Sequence, residues 1–110
     1  MEKHIILLNG SSSSGKSTLA KVLQMVIADK RDERYEIVSI DDFLKMTTED
    51  VIYEDDVFEI SDVLCEKVLQ VLEESPGVII DHVITSERIF NQLTEKLRHH
   101  HLRLVTQLLR

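Results

Sequence analysis

The segment at residues 10–17 constrains the fold more than any other part of this 110-residue sequence. It reads Gly-Ser-Ser-Ser-Ser-Gly-Lys-Ser, which places two glycines and a Gly-Lys-Ser ending at the spacing of a phosphate-binding loop. A near-continuous apolar run at residues 4–9 precedes it, and residues 19–27 carry apolar side chains at helical spacing. The order strand, tight loop, helix is therefore predicted, and a strand buried on both faces is typical of a parallel sheet.

The glycines and the helix after them favour the binding of a nucleotide phosphate. Gly10 and Gly15 can take backbone angles closed to other residues, so successive N–H groups can surround a phosphate at the positive end of the helix. Lys16 is predicted to neutralise the β- and γ-phosphates, and the Ser17 hydroxyl to coordinate Mg²⁺. The residues predicted to bind the nucleotide phosphates are Gly10, Ser11, Ser12, Ser13, Ser14, Gly15, Lys16, Ser17 and Thr18. The alternative is a serine-rich turn that only caps a helix.

Further strands are predicted at residues 35–40 and 77–83, where aliphatic and β-branched side chains predominate. Residues 102–109 fit either a fourth strand or another helix. Strands that alternate with helices predict crossover connections and therefore a parallel sheet. The expected fold is α/β, a P-loop NTPase-like sheet of three or four strands with helices on both faces, forming one domain over residues 1–110.

Two more helices are predicted from apolar spacing and from residues typical of helix ends. Residues 60–72 form an amphipathic pattern that stops before Ser-Pro-Gly, and residues 44–56 are expected to be a loop with a short helix at most. Ser86 is the predicted N-cap of a last helix, with Glu87 favourably placed in its first turn. The basic and histidine residues at 98–101 are predicted to end that helix, where cations interact favourably with its dipole.

Three aspartates are expected at the same edge of the sheet, because each lies near the end of a predicted strand. Asp41 and Asp42 follow the second strand, and Asp81 lies near the end of the third. Asp81 is predicted to hold Mg²⁺ directly or through water, while Asp41 or Asp42 is placed to accept a proton from an acceptor hydroxyl. The alternative is ordinary helix capping by aspartate. For His82, beside them, a packed or solvated side chain is the expected role.

Charge and cysteine content narrow the function classes. The formal net charge of −7 disfavours nucleic-acid binding, which depends on Lys and Arg neutralising phosphates. Cys65 is the single cysteine, so no intrachain disulfide is possible. The apolar run near the start is much too short for a signal peptide or a membrane span. A cytoplasmic protein with no membrane partner is expected.

The string Ile-Ile-Leu-Leu-Asn-Gly-Ser-Ser-Ser-Ser-Gly-Lys-Ser at residues 5–17 resembles the opening of the chloramphenicol phosphotransferase-like family. Residues 39–43, Ser-Ile-Asp-Asp-Phe, and residues 78–83, Val-Ile-Ile-Asp-His-Val, resemble that family's second and third strand segments. The resemblance implies ATP-dependent phosphorylation of a hydroxyl on a small molecule, with ATP and Mg²⁺ as cofactors. It also implies that Asp41 is the general base, so Asp41 and Lys16 are the predicted catalytic residues.

One departure concerns the C-terminal part of the family. Its members continue into an arginine-bearing lid and a fifth strand, and this sequence, which stops at Arg110, is expected to lack both. Phosphoryl transfer needs positively charged groups beside the negative charge of the transferring phosphoryl group. Arg88, Arg98 and Arg103 could supply positive charge, but they lie in no recognisable lid motif. A non-catalytic nucleotide-binding domain is therefore the alternative from another class. A nucleoside monophosphate kinase is a further alternative among enzymes.

Overall fold

The computed structural model describes residues 3–10, 16–44, 54–84, 86–98 and 100–106. Strands and helices alternate along the chain, with one additional short helix after the second strand. In order they are β1 (His4–Asn9), α1 (Lys16–Arg31), β2 (Glu36–Ser39), α2 (Ile40–Leu44), α3 (Glu54–Leu72), β3 (Gly77–His82), α4 (Glu87–Lys96) and β4 (His101–Thr106). No helix in these ranges is both long and apolar enough to span a bilayer.

The four strands form one sheet in the order β2-β3-β1-β4, and all neighbouring pairs are parallel. The predicted parallel α/β fold is confirmed. β1 lies between two partners, because His4 pairs with Gly77 of β3 on one side and with His101 of β4 on the other. The segment that fitted either a strand or a helix is therefore a strand.

Helices cover both faces of the sheet, but the two faces bury different amounts of side chain. α3 and α4 pack together over one face, and the core there joins strand and helix residues. The buried members are Ile5, Leu7, Val38, Ile40, Leu64, Cys65, Val68, Leu72, Val78, Ile80, Ile89, Leu93 and Leu97. The α1 face buries a smaller set, namely Leu8, Ala20, Tyr35 and Ile79.

Several element boundaries differ from the sequence-based expectation. β2 ends at Ser39, and α2 follows without a gap, so Asp41 lies in the first turn of a helix and not at a strand end. α3 begins at Glu54, earlier than its clear apolar pattern. α4 ends at Lys96 with Leu97 as its C-cap, so the expectation that residues 98–101 end this helix is wrong. His101 opens β4, because pairing with β1 extends the strand to that residue.

The start of α4 and the end of α1 each have a recognisable cap. The Ser86 side chain accepts a hydrogen bond from the Ile89 N–H at 3.3 Å, which confirms the predicted N-cap of α4, and Glu87 lies in the first turn. At the other end of the molecule Asp32 has φ 53° and its N–H bonds to the Ala28 carbonyl at 3.1 Å, so α1 ends in a left-handed residue.

The start of β3 is packed tightly against the α1 face. A Cβ at Gly77 would lie 2.5 Å from the Tyr35 ring and 2.8 Å from the His4 carbonyl oxygen, so only glycine fits there without displacement. Tyr35 itself is 1% exposed, and burial raises the pKa of its hydroxyl. This contact fixes the amino end of β3 against β1 and leaves the carboxyl end to carry the polar residues described next.

Candidate functional site

The carboxyl ends of β1, β2 and β3 meet at one edge of the sheet, and α1 begins at this edge. The crossover from β1 leads towards β2, whereas the crossover from β3 leads past β1 to β4. Adjacent strands whose crossovers leave in opposite directions form a crevice where α/β proteins bind ligands. The crevice here lies between Asn9 at the end of β1 and His82 at the end of β3, which are register partners.

Asp81 is the predicted metal residue, and it lies at this crevice. Its register partners are Leu8 of β1 and Ser39 of β2, so it is near the carboxyl end of the strand between them. Alternation along β3 puts Asp81 on the same face as Ile79, which packs on the α1 side. The side chain is 2% exposed. A buried carboxylate is thus on the face where α1 starts, and the positive end of a helix dipole favours negative charge there.

Ser39 connects the second and third strands at this edge, and sequence reasoning had not assigned it a role. Its hydroxyl donates a hydrogen bond to Asp81 Oδ2 at 3.4 Å and accepts one from the Asp41 N–H at 3.3 Å. One side chain therefore contacts both stretches that carry the predicted acids. The sequence alone does not single out Ser39, because a serine at the end of a buried strand becomes informative only when its register partner, Asp81, is known.

The structure places Asp41 and Asp42 in the first turn of α2, where Asp41 is half-buried and Asp42 exposed. This position also agrees with the alternative that the two aspartates only stabilise the start of a helix, because negative charge is favourable in a first turn. A cavity of about 280 Å³ opens at the outer edge of β2 beside them. Its lining residues are Ile37, Val38, Ser39, Asp42, Phe43 and Lys67.

Most of the predicted phosphate-binding loop lies outside the described residues. Gly10 directly follows β1, and residues 11–15, which include Ser11, Ser12, Ser13, Ser14 and Gly15, are not described. Lys16 and Ser17 form the first turn of α1, although their side chains fall outside the description as well. Thr18 is exposed on that turn. The roles of these residues in nucleotide binding stay predictions, and the flanking strand and helix have the order that the motif requires.

His82 follows Asp81 but points to the opposite face of the sheet. It is fully buried, and its Nε2 lies 3.1 Å from the Ser61 hydroxyl of α3, which is also fully buried. The expectation of a packed histidine agrees with this position. The bond ties the end of β3 to α3 within the larger core.

A second link, also missed from the sequence, joins the end of β1 to the chain after β3. The Ile84 N–H donates a hydrogen bond to Asn9 Oδ1 at 2.9 Å. Asn9 precedes Gly10, and Ile84 lies three positions after Asp81 in the sequence. The bond thus connects the residue that leads into the predicted loop with the segment that follows the buried carboxylate.

The described arginines of the second half are engaged on helix surfaces. Arg88 makes a 2.6 Å ion pair with Asp55, and its guanidinium lies 4.0 Å from the centre of the Phe58 ring. Arg98 pairs with Glu95 one turn earlier on the chain. The side chain of Arg103, on β4, lies outside the described residues.

The described side chains include no group of three His, Cys, Asp or Glu residues that would hold a metal ion by themselves. Mg²⁺ in nucleotide-binding proteins is usually held by one or two carboxylates or hydroxyls together with substrate phosphates and waters. A single buried carboxylate with the hydroxyl of Ser39 beside it fits that kind of donor set. The predicted use of Mg²⁺ by Asp81 is therefore chemically consistent with the residues present.

Comparison with known proteins identifies both a family and a fold. Residues 3–106 match the sequence profile of a family described as chloramphenicol phosphotransferase-like protein. No protein of curated function matches the chain in sequence. The family match extends over the three segments that carry the motif resemblances and over all eight helices and strands.

Solved structures share the fold at low sequence identity. A chain in the Pnkp1/Rnl/Hen1 complex is 22% identical, with a TM-score of 0.74 over 99% of this chain. The APS kinase CysC of Mycobacterium tuberculosis, solved as a mutant, is 14% identical with a TM-score of 0.78 over 96%. A gluconokinase from Sinorhizobium meliloti 1021 is 19% identical with a TM-score of 0.62 over 96%. This chain spans 36%, 76% and 57% of those chains, respectively.

Proposed function

The chain belongs to the chloramphenicol phosphotransferase-like family, and from that membership we propose that it is an ATP-dependent kinase which phosphorylates a hydroxyl of a small molecule. The observation that carries the proposal is the position of Asp81. This buried carboxylate lies one strand from the end of β1 and on the face where α1 begins. A P-loop kinase needs an acidic group at this place to support Mg²⁺.

The phosphate side of the site is formed by the loop between β1 and α1. The main-chain N–H groups of residues 10–18 would bind the β- and γ-phosphates, and Lys16 would neutralise their charge. The Ser17 hydroxyl and Asp81 would hold Mg²⁺. Bound Mg²⁺ supplies positive charge that offsets the charge on the transferring phosphoryl group.

The acceptor side is assigned to the end of β2. Asp41 accepts the proton of the acceptor hydroxyl while the hydroxyl oxygen forms its bond to the γ-phosphorus. The bond from that phosphorus to the β-phosphate oxygen breaks, and ADP leaves with the electron pair. Two hydrogen bonds support this assignment, one from the Asp41 N–H to the Ser39 hydroxyl and one from that hydroxyl to Asp81 Oδ2, because together they link the start of α2 to the end of β3.

Transfer from labelled ATP with Mg²⁺ to a panel of hydroxylated small molecules tests the proposal. Lys16→Ala is expected to lower ATP affinity at least about 100-fold, since it removes the cation that meets the phosphates, while the melting temperature stays within about 2 °C. Calorimetric titration with ATP measures the affinity. Lys21→Ala, which removes an exposed lysine from the same helix, is the matched control and should bind as the unmodified chain does.

Unchanged ATP affinity in Lys16→Ala would contradict the phosphate role. A folded chain that binds ATP but phosphorylates no member of a broad panel would instead support the second candidate, a nucleotide-binding domain without transfer activity. The surface ion pairs of Arg88 with Asp55 and of Arg98 with Glu95 favour that candidate, because they hold both guanidinium groups at carboxylates on the helix surface. Transfer to any one acceptor rejects it.

A further inference from the structure

The cavity of about 280 Å³ at the outer edge of β2 lies beside the end of that strand, where the proposed function places the acceptor. Ser39 forms part of the cavity wall, and its hydroxyl also contacts Asp81 Oδ2 and the Asp41 N–H. Asp42, which follows Asp41 in the first turn of α2, lines the cavity directly. The cavity therefore adjoins the hydrogen bonds that link β2, α2 and β3.

Apolar side chains form much of the remaining wall of this cavity. They belong to Ile37 and Val38 of β2 and to Phe43 of α2. Ile37 packs on the α1 face and Val38 on the α3 face, so the cavity follows the open edge of β2, where no other described strand pairs. Drug-sized ligands occupy pockets of about 300–1,000 Å³, so this cavity suits a smaller molecule, such as one with a single ring.

Lys67 of α3 is the one basic residue among the described residues of the cavity wall. It is also the only basic residue of α3, which has six acidic residues. Within the described ranges no carboxylate lies at ion-pair distance from Lys67, whereas Lys96 of α4 pairs with Asp62. The chain has a formal net charge of −7, so a small anion is attracted only where such a cation is close to it.

A neighbouring groove of about 530 Å³ has the opposite charge character. It shares Phe43 and Lys67 with the cavity, but Glu66 and Glu73 line it as well. These two carboxylates disfavour an anion in the groove. In the smaller cavity Asp42 is the one acidic residue of the described wall, so an anion near Lys67 meets less repulsion there.

We infer that the acceptor is a small hydroxyl compound with an apolar or aromatic body and an anionic oxygen group, and that Lys67 selects it by binding that group. The inference rests on the proposed function, since the acceptor hydroxyl lies at Asp41. It adds the substrate class: the body packs against Phe43 and the edge of β2, and the anionic group interacts with the Lys67 ammonium. Repulsion from Asp42 keeps the anionic group away from the start of α2, which orients the hydroxyl towards Asp41.

Two probes of equal size test this charge preference. They are para-(hydroxymethyl)benzoate and para-(hydroxymethyl)benzamide, which share the ring and the alcohol and differ in charge. NMR titration of the full chain at about pH 7, where the carboxylate is ionised, gives both dissociation constants. The benzoate should bind about two- to fivefold more tightly, as expected for a pair with an exposed lysine. The amide signals of Val38, Ser39 and Phe43 should shift with both probes.

Variants of Lys67 show whether this side chain causes the preference. Lys67→Met removes the charge but keeps a long apolar side chain, so both probes should bind equally and the affinity for the benzamide should change less than about twofold. Lys67→Glu should reverse the preference. Lys21→Met, which removes an exposed lysine from α1, is the matched control and should keep the preference of the unmodified chain.

Equal affinities of the two probes in the unmodified chain, or a preference that survives Lys67→Met, would overturn the inference. Absence of binding by either probe, or signal shifts only outside the cavity, would overturn it too. Phosphate transfer from labelled ATP decides the proposed function separately. Transfer to the benzamide as fast as to the benzoate would support the kinase and overturn the inference. A charge preference in binding without transfer to any acceptor would reject the kinase, and with it the acceptor role of the cavity, while its binding of anions would stand.

Discussion

Asp81 and His82 are consecutive residues of β3, both buried, yet they lie in very different surroundings. His82 points into the face covered by α3 and α4, where the Ser61 hydroxyl meets its ring nitrogen and the larger apolar core surrounds it. Asp81 points to the face covered by α1, at the edge where that helix begins. Burial alone therefore does not separate a packing residue from a candidate functional one.

The difference follows from how many helices cover each face. α3 and α4, with the short α2 packed against α3, enclose one face, so a polar group there must find its partner inside the core. The α1 face has a single helix, whose N-terminal end presents unsatisfied N–H groups and positive potential at the strand ends. We expect changes on the α1 face near this edge to affect chemistry, and changes on the opposite face to affect stability.

The largest expected effect is that of Asp81→Asn. The neutral amide keeps the size of the side chain and an acceptor for Ser39, but removes the charge that supports Mg²⁺. Phosphate transfer should fall about 100- to 1,000-fold, as when a single electrostatic group is lost from an active site. Initial rates with labelled ATP measure the change, and the melting temperature should shift little.

Ser61→Ala is the counterpart on the opposite face. It removes the hydroxyl that meets His82 and leaves a buried ring nitrogen without that partner, at a cost of about 1–3 kcal/mol in the free energy of unfolding. Urea titration measures this loss, and ATP affinity at a temperature where the variant is folded should stay within about twofold. A loss of stability without a loss of ATP binding would support the difference between the two faces of the sheet. A larger effect on phosphate transfer from Ser61→Ala than from Asp81→Asn would contradict it.

An intermediate effect is expected from Cys65 at alkaline pH. Burial in the core beneath α3 and α4 raises the pKa of this thiol from an ordinary value near 9 to about 12. Below pH 9 the thiol is protonated in both the folded and the unfolded chain. Above pH 9 the unfolded chain loses the proton first, so the free energy of unfolding should fall towards pH 12, by at most about 1.4 kcal/mol per pH unit.

Urea titrations between pH 8 and pH 10.5 measure this dependence in the unmodified chain and in Cys65→Ala. The alanine variant should have a lower free energy of unfolding at pH 8. It should not show this fall with pH, because it lacks the thiol. Parallel slopes would show that the thiol reaches solvent without unfolding, and the α3–α4 face would then be less closed than the structure indicates.

The smallest effect is expected at the end of α1. Asp32 has a positive φ of 53°, which costs less for glycine than for a residue with a Cβ. Asp32→Gly should raise the free energy of unfolding by about 0.5 kcal/mol, because the relief of strain exceeds the added entropy of the unfolded chain. Asp29→Gly, an exposed position inside the same helix, should lower it by a similar amount. Thermal unfolding of the pair measures both signs.

The strands at the centre of the sheet were predictable because their own residues determine them. The apolar run at residues 4–9 gives β1 with the predicted limits, and the run from Gly77 gives β3 to within one residue. The limits of β4 and α4 depend on a distant partner, because pairing with β1 makes His101 a strand residue and so shortens the helix before it. Local periodicity contains no information about that pairing.

The candidate site also contains residues that the sequence indicates and residues that depend on contacts between distant segments. The glycine spacing and the strand-end aspartates indicate which residues to consider, and Asp81 does lie buried at the crevice. The contributions of Ser39 and Asn9 depend on which residues stand side by side across the sheet, and therefore on a register that no single segment specifies. Asp41 lies in the first turn of a short helix that begins directly after β2.

The strand order has a consequence for how the chain is made. Of the four strands described, β1 leaves the ribosome first, whereas its two neighbours in the sheet, β3 and β4, are the last of the four to be synthesised, since His4 pairs with Gly77 and with His101. At roughly 5–20 residues per second, the about 70 residues that separate β1 from β3 take roughly 4–14 s to appear. Throughout that interval the most apolar strand has no sheet to join. The growing chain is therefore expected to depend on chaperones during translation, and slower elongation should lower the yield of folded protein.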